Sequence, residues 1–465
     1  MYAVQGNFGI KGNFEAVIRE GNKLVHYWRS NNDSVLPWYR SVSFGNNVSS
    51  EPAMIQSNFG NVGNFELVVK EDNKLRHYWR DNDVSGLTWH KGVLFGDNVS
   101  SAPALIQSSF GNVGNFELIV RERGGPGVGY KLRHYWRDND ASGLTWHKGV
   151  LFGDNVGSAP ALIQSNFGNV GNFELVVREW SGWGDYYKLR HYWRDNDAPG
   201  LTWHKGTLFG DHTSNTPTMI QSNFGNAGNF ELVVRERSGS GTHYKLRHYW
   251  RDNDASGLPW HKGISFGDYI TYQQSFIQGN FGNKGNFELL TKRGNCLTHF
   301  WRNNDASGLP WSEEIQTHTV VPLGSNPTPA ENAQFVGWFP NLRNWKITAP
   351  GTRTYNCISW SVGVTSEWLW PGSSIAAFDT FYASYGWTPS ASGKREYQKR
   401  KIALWADASG CTHGSPETYN CDWHESKCGS AQRIMHDKFQ MQDGAYGNIV
   451  KYYEKFYANA NLDLA

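Results

Sequence analysis

The chain has 465 residues, of which 39% are hydrophobic, 15% aromatic and 18% charged, with 51 glycines. Disordered chains are poor in aromatics and coiled coils are rich in Ala, Leu, Glu and Lys, so this composition excludes both and favours many short strands joined by turns. A net charge of +2, with no block of five like charges, leaves no basic patch of the kind that displaces counterions from nucleic acid.

No run of 18 apolar residues occurs, so no transmembrane helix is expected. The start, Met1-Tyr2-Ala3-Val4-Gln5, has neither a charged n-region nor an apolar h-region, which predicts no signal peptide. A cytoplasmic protein, or one exported by an unconventional route, is the expectation. The five cysteines are too few, and odd in number, for a disulfide scaffold, and four of them lie beyond residue 350.

Internal repetition governs residues 1–322. The motif Gln-x-x-Phe-Gly starts at Gln5, Gln56, Gln107, Gln164, Gln221 and Gln278, at spacings of 51, 51, 57, 57 and 57 residues. Periods near 50 residues with aromatic and glycine punctuation mark propeller blades. In the second unit, Phe65 to Val69 and Leu75 to Arg80 flank the turn Glu71-Asp72-Asn73-Lys74, and Trp89 to Phe95 makes a further strand. Ala104-Leu-Ile-Gln suits an inner strand, and Tyr2-Ala-Val-Gln matches it at the N-terminus. The chain is therefore read as mainly β: a six-bladed β-propeller of four-stranded blades that closes without borrowing a strand, followed by a smaller α+β domain. An open solenoid would need polar end caps, and the terminal units look like the others. Units three, four and five carry six extra residues in the hairpin between their second and third strands, where Trp180, Trp183 and Tyr187 could form an aromatic rim.

Several polar positions are the same in all six units: a Glu after Asn-Phe, a His, an Arg and an Asn, besides two tryptophans. With Asp72-Asn73 as a two-residue loop, Glu66 faces Trp79 and His77 lies diagonally beside it, while Phe65 and Arg80 share the other face. An indole plane can stack on the C–H face of a sugar while charged partners read its hydroxyls, and repeated weak sites add avidity. The ligand-binding candidates are Glu66, His77, Trp79, Arg80 and Trp89; Glu117, His134, Trp136 and Arg137; Glu174, His191, Trp193 and Arg194; and Glu231, His248, Trp250 and Arg251. The competing role for the same residues is an interblade packing and hydrogen-bond network. The units Asn-Phe-Glu-Leu-Val-Val-Arg … Leu-Arg-His-Tyr-Trp-Arg-Asp-Asn … Trp-His resemble the tachylectin-like and fucose-binding propeller lectins. That resemblance implies one unit per blade, ligands between blades and glycans as partners.

Beyond Pro322 the repeat ends. Residues 323–332 read as a linker and 333–465 as a second domain. Helices are expected over Cys357 to Val362 and Ser374 to Tyr385, strands at Lys401 to Ala406 and near Trp423, and a terminal helix over Asn448 to Tyr457. Cys357 at a helix start, His413 on a later strand and Ser426 beyond it follow the chain order of papain-like cysteine hydrolases, which use a thiolate nucleophile, an imidazole base and an orienting group. Asn356 and backbone N–H groups would serve the oxyanion, since no glutamine stands upstream of Cys357. Two alternatives remain: a buried core cysteine beside an ordinary histidine, and a zinc site drawn from Cys411, His413, Cys421, His424 and Cys428, which lacks any Cys-x-x-Cys. A Cys411–Cys421 disulfide suits an oxidising compartment, Cys296 replaces a repeat lysine and is inert, and no cofactor is expected. Together these readings predict a multivalent lectin joined to a cysteine hydrolase domain; a protein-interaction scaffold is the rival.

Overall fold

A computed structural model describes residues 2–32, 38–125, 129–182, 187–237, 244–268, 270, 274–293, 296–316, 324–343, 345–393, 399–418 and 423–456. They form two compact units, Met1–Arg293 with Thr298–Glu314, and Gly294–Leu297 with Ile315–Ala465.

The first unit is a six-bladed propeller. Each repeat makes one four-stranded sheet with its strands in chain order. In the second blade these are Ala53–Gln56, Phe65–Glu71, Lys74–Arg80 and Trp89–Phe95. Branched and aromatic residues fill the two middle strands, and the Asp72-Asn73 loop joins them with Asp72 in the left-handed region at φ 52°. The register is the one the two-residue loop requires, with Phe65 opposite Arg80 and Glu66 opposite Trp79. In blades three to five the same hairpin runs one pair further, closing on Arg123–Tyr130, Trp180–Tyr187 and Arg237–Tyr244. The apolar cores lie between sheets. Ala53, Val68 and Leu75 of one blade pack on Leu105, Phe116, Leu118 and Tyr135 of the next, and the pattern repeats around the ring.

Among its described residues the second unit contains two sheets and three helices. One sheet orders Thr388–Ser390, Asn448–Phe456, Lys399–Asp407 and Gly410–Pro416; the other orders Lys346–Ala349, Arg433–Asp437 and Trp423–Lys427. Helix α1 (Pro329–Trp338) begins inside the segment expected to be a linker. Its Thr328–Glu331 pair is a complete capping box, with proline in the first turn. Helices α2 (Cys357–Ser361) and α3 (Ile375–Ser384) lie where the sequence predicts them. The expected helix over Asn448 to Tyr457 is instead a strand, Asn448–Phe456, paired on both sides. Its Ile-Val-Lys-Tyr-Tyr run has β-forming side chains, and a slot between two strands decides the outcome over local propensity.

Six first strands line a central channel of about 1210 Å³. At every seam a glutamine side chain accepts from the backbone N–H of the preceding blade: Gln56 from Asn7, Gln107 from Asn58, Gln164 from Ser109, Gln221 from Asn166 and Gln278 from Asn223, at 2.9–3.1 Å. The sixth seam is made the same way, Asn280 N–H donating to Gln5 at 3.0 Å, so the ring is closed. Ser275 adds bonds that the other seams lack among the described residues: Ala3 N–H donates to Ser275 Oγ at 2.8 Å, and Ser275 Oγ donates to Ala3 O at 3.5 Å. Ser275→Ala would orphan that buried donor and lower propeller stability by ~1–3 kcal/mol, to be read as an earlier urea midpoint by tryptophan fluorescence. An unchanged midpoint would mean the closing seam does not limit stability.

Candidate functional site

The shared polar residues form a buried Glu–His pair in every blade, and at three seams an arginine of the next blade extends it into a relay. His77 Nε2 meets Glu66 Oε2 at 2.6 Å, and the same pair recurs in every blade at 2.6–2.7 Å. Across the seam, Arg80 Nη1 approaches His26 Nδ1 at 3.3 Å, Arg194 approaches His134 at 3.5 Å, and Arg29 approaches His299 over the closing seam at 3.4 Å. A neutral imidazole protonated on Nε2 satisfies both neighbours: it donates to the carboxylate and accepts from the guanidinium. The arginine also donates through Nε to Asn82 Oδ1, and Asn82 Nδ2 donates to the Gly63 carbonyl. Gly63 is held at φ 86°, with Ser57 O only 2.3 Å from where a Cβ would lie, so glycine alone fits there.

This geometry places the sequence-predicted ligand contacts. Glu66, Glu117, Glu174 and Glu231, the histidines His77, His134, His191 and His248, and the arginines Arg80, Arg137, Arg194 and Arg251 are all buried, Glu66 to 3% exposure. They hold blade to blade rather than facing solvent. Trp89 (9% exposed) lies flat on Phe44 of the preceding blade, with centroids 4.6 Å apart and planes 8° apart. Its counterparts repeat that stack. Nevertheless the indole N–H groups of Trp38, Trp89, Trp146, Trp203, Trp260 and Trp311 are buried with no partner among the described residues.

Trp79, Trp136, Trp193 and Trp250 are half-buried and differ in kind. Each stacks on an imidazole of its outer strand: His90, His147, His204 and His261, at 4.2–5.1 Å. Sequence reasoning passed over these outer histidines, although Trp-His at the head of every outer strand in blades two to five was the available signal. His134 stands 6.1 Å from Trp136 in its own blade and 6.2 Å from Trp203 of the next. His134 thus neighbours both a half-buried indole of its own blade and a buried indole of the next.

In the second unit, Cys357 is the first residue of α2, and Asn356 caps it by accepting from Ser359 N–H at 2.9 Å. Asn356 Nδ2 donates to Leu369 O at 2.6 Å, so this side chain is not available as an oxyanion donor. Cys357 is 5% exposed; burial pushes its thiol up to about 11, against the opposing pull of the Gly414 N–H. His413 lies on the Gly410–Pro416 strand, fully buried and flat against Tyr446 at 4.1 Å. No hydrogen bond joins it to Cys357 among the described residues.

A chain of bonds defines the His413 tautomer. His436 Nδ1 donates to Asp437 O at 2.8 Å, so its Nε2 accepts from Ser426 Oγ at 2.7 Å. Ser426 Oγ then accepts from His413 Nε2 at 2.8 Å, which leaves His413 Nδ1 as a buried lone pair without a partner. The structure bonds His413 to Ser426, leaves Cys357 outside that chain among the described residues, and adds His436, which the sequence reading did not include. Cys411 and Cys428 are buried free thiols, Cys421 lies outside the described residues, and no group of three His, Cys, Asp or Glu that could hold a metal occurs among the described residues.

Residues 346–454 match a family described as "Domain of unknown function (DUF7689)". No curated protein matches the chain. Among solved structures, a fucose-specific lectin from Aleuria aurantia is similar at 16% identity over 67% of this chain and 93% of its own, with a TM-score of 0.47. An α-L-arabinanase from Penicillium chrysogenum is 16% identical over 57% and 80%, with a TM-score of 0.42. The GH93 α-L-arabinofuranosidase of Fusarium graminearum is 12% identical over 68% and 88%, also at 0.42. These likenesses concern the path of the chain, and no residue role is transferred from them.

His413, His424 and His436 are buried as neutral imidazoles. Burial holds all three below the usual histidine range, His436 at about 4, and Lys438 and Arg400 press His424 down further. The unfolded chain binds protons near pH 6.5 that the folded one refuses, so stability is full above that pH and falls as pH drops toward 4. Each histidine contributes ~1.4 kcal/mol per pH unit, or roughly 4 for the three. Urea unfolding of the second unit at pH 5 is therefore expected far below its pH 7 midpoint; equal midpoints would show that these imidazoles are not buried neutral.

Proposed function

We propose that the propeller is a multivalent glycan-binding module and that the second unit is a cysteine hydrolase held in a neutral resting state. The observation that carries the first part is the half-buried indole of Trp136, stacked on the outer-strand His147. A flat apolar platform beside an imidazole suits a sugar ring, whose C–H face stacks while its hydroxyls seek partners. Trp79, Trp193 and Trp250 stack on outer-strand imidazoles in other blades, and several such sites on one ring would raise avidity without new contacts. The buried Glu–His–Arg relay acts here as the frame that fixes the indoles. Glycan-array binding with free-sugar competition tests the reading. Trp136→Ala with Trp193→Ala should weaken array binding by about tenfold or more with the melting temperature little changed; a protein that ignores every glycan ends the proposal.

One observation favours a protein-binding scaffold instead. The outer strands expose Val42, Val93, Val150 and Ile264, each near half of its surface, besides Leu94 and Leu151. An apolar girdle of that kind suits a protein partner. Glycan-blind protein that still captures a polypeptide would favour this reading.

For the second unit, support comes from the His413 tautomer, whose bare Nδ1 is the form a general base needs. The thiol is the obstacle: a group near 11 is almost wholly protonated at pH 8. Cys357 should therefore alkylate with iodoacetamide on the order of a hundredfold more slowly than an open thiol. Amide turnover by the native protein, absent from Cys357→Ala, is the expected sign of activity. Turnover equal in both forms, or absent from both, would remove the hydrolase reading.

A further inference from the structure

The three extended hairpins do more than lengthen the blades. Their tyrosines Tyr130, Tyr187 and Tyr244 lie over the guanidinium groups of Arg121, Arg178 and Arg235, with Arg Cζ 4.3–4.5 Å from each ring centre. These arginines sit at one repeat position on three consecutive blades, and Arg178 lies within electrostatic reach of the other two. Among the described residues none of the three forms an ion pair with a carboxylate; burial acts on them first, and neighbouring tyrosines and, for Arg178, arginines next. Elsewhere on the ring the position holds Arg19, Lys70 and Lys292, and there Glu51 supplies a carboxylate beside Lys292 and Arg19.

Within the arc the central residue is the least satisfied. Arg121 donates to Ser100 Oγ, Ser100 O and Val156 O, and Arg235 donates to Ser214 Oγ and Ile270 O. In blade four the serine is replaced by Gly157, because the Tyr187 ring comes within 2.1 Å of where a Cβ would be. Arg178 thereby loses its acceptor: its Nε is buried without a partner, and its side chain makes no hydrogen bond among the described residues. A half-buried guanidinium with no counter-charge and no acceptor is costly unless something supplies both. Burial pulls Arg178 down to about 10, consistent with that deficit.

We propose that Arg178, flanked by Arg121 and Arg235 and capped by Tyr187, is an anion site that takes a sulfate ester or carboxylate carried on an acidic glycan. The planar guanidinium matches two oxygens of either group. Exposed Trp180 and Tyr130, at 48% and 40%, give a sugar ring apolar surface nearby. That the carrier is a glycan rests on the reading proposed above; the anion site itself does not.

The test is binding of the full-length protein to immobilised heparin at about 50 mM salt and upward, with uncharged dextran and a DNA duplex in parallel. Arg178→Gln should weaken heparin binding by about tenfold and leave the neutral-glycan profile unchanged, while Lys91→Gln on an outer strand should alter neither heparin binding nor that profile. If Arg178→Gln fails to melt as a folded protein, Arg121→Gln with Arg235→Gln serves instead, with the same loss expected. Heparin binding that is absent from the native protein, or equal in the arginine variants, overturns the site. DNA held as tightly as heparin overturns its assignment to a glycan. Loss of neutral-glycan binding alone would sink the seam reading and leave the anion site standing.

Discussion

The propeller's blades are tied by an imidazole that stands between a buried carboxylate and, at three seams, a buried guanidinium. A carboxylate and a guanidinium placed in separate blades would each be costly to bury alone. Histidine solves both problems with one ring, because its two nitrogens are a donor and an acceptor at once. Glu15 to His26 to Arg80 is therefore one electrostatic unit shared by two sheets. The seam that joins the last blade to the first repeats it through Arg29 and His299. Apolar packing could let adjacent sheets slide; a directional bond at fixed depth cannot. The relay gives the ring its register, and the glutamine bonds around the channel give it closure.

That relay also explains how far the sequence could be read. The repeat, the four strands per blade, the hairpin loop and the facing of Glu66 with Trp79 were all legible, because they follow from local periodicity and turn length. Which part of that face the next blade covers was not legible. The face carrying Glu66, His77 and Trp79 is continuous in one blade, yet the neighbour buries the first two and leaves the third half open. Identical residues at identical positions are what an internal seam and a repeated ligand site both produce.

The second unit teaches the same lesson at the level of elements. Leu323-Gly-Ser-Asn-Pro-Thr-Pro-Ala reads as a linker by composition, yet its last residues are a helix start, since Thr328 and Glu331 satisfy each other's N–H groups. Chain order pointed to Cys357, His413 and Ser426. It could not point to His436, because a bond through a serine hydroxyl between two strands leaves no spacing signature. What that fourth residue does is physical: by accepting from Ser426 it fixes the direction of the chain of bonds and strands the lone pair on His413 Nδ1.

Sixfold repetition makes departures from it informative. Three blades keep short hairpins; three lengthen them, and each lengthened hairpin lays a tyrosine over the arginine at the base of the same blade. A loop that merely drifted would have no reason to end on an aromatic at that point. In blade four the change goes further, since the serine that would satisfy Arg178 gives way to glycine so that Tyr187 can approach. The fold gains nothing from a guanidinium stripped of its acceptor. It loses a hydrogen bond and keeps a desolvated charge, which is the opposite of what selection for stability alone would leave in place. The two ends of the blades thus carry different chemistry: neutral indole faces where the relay emerges, and a positive arc where the hairpins have grown.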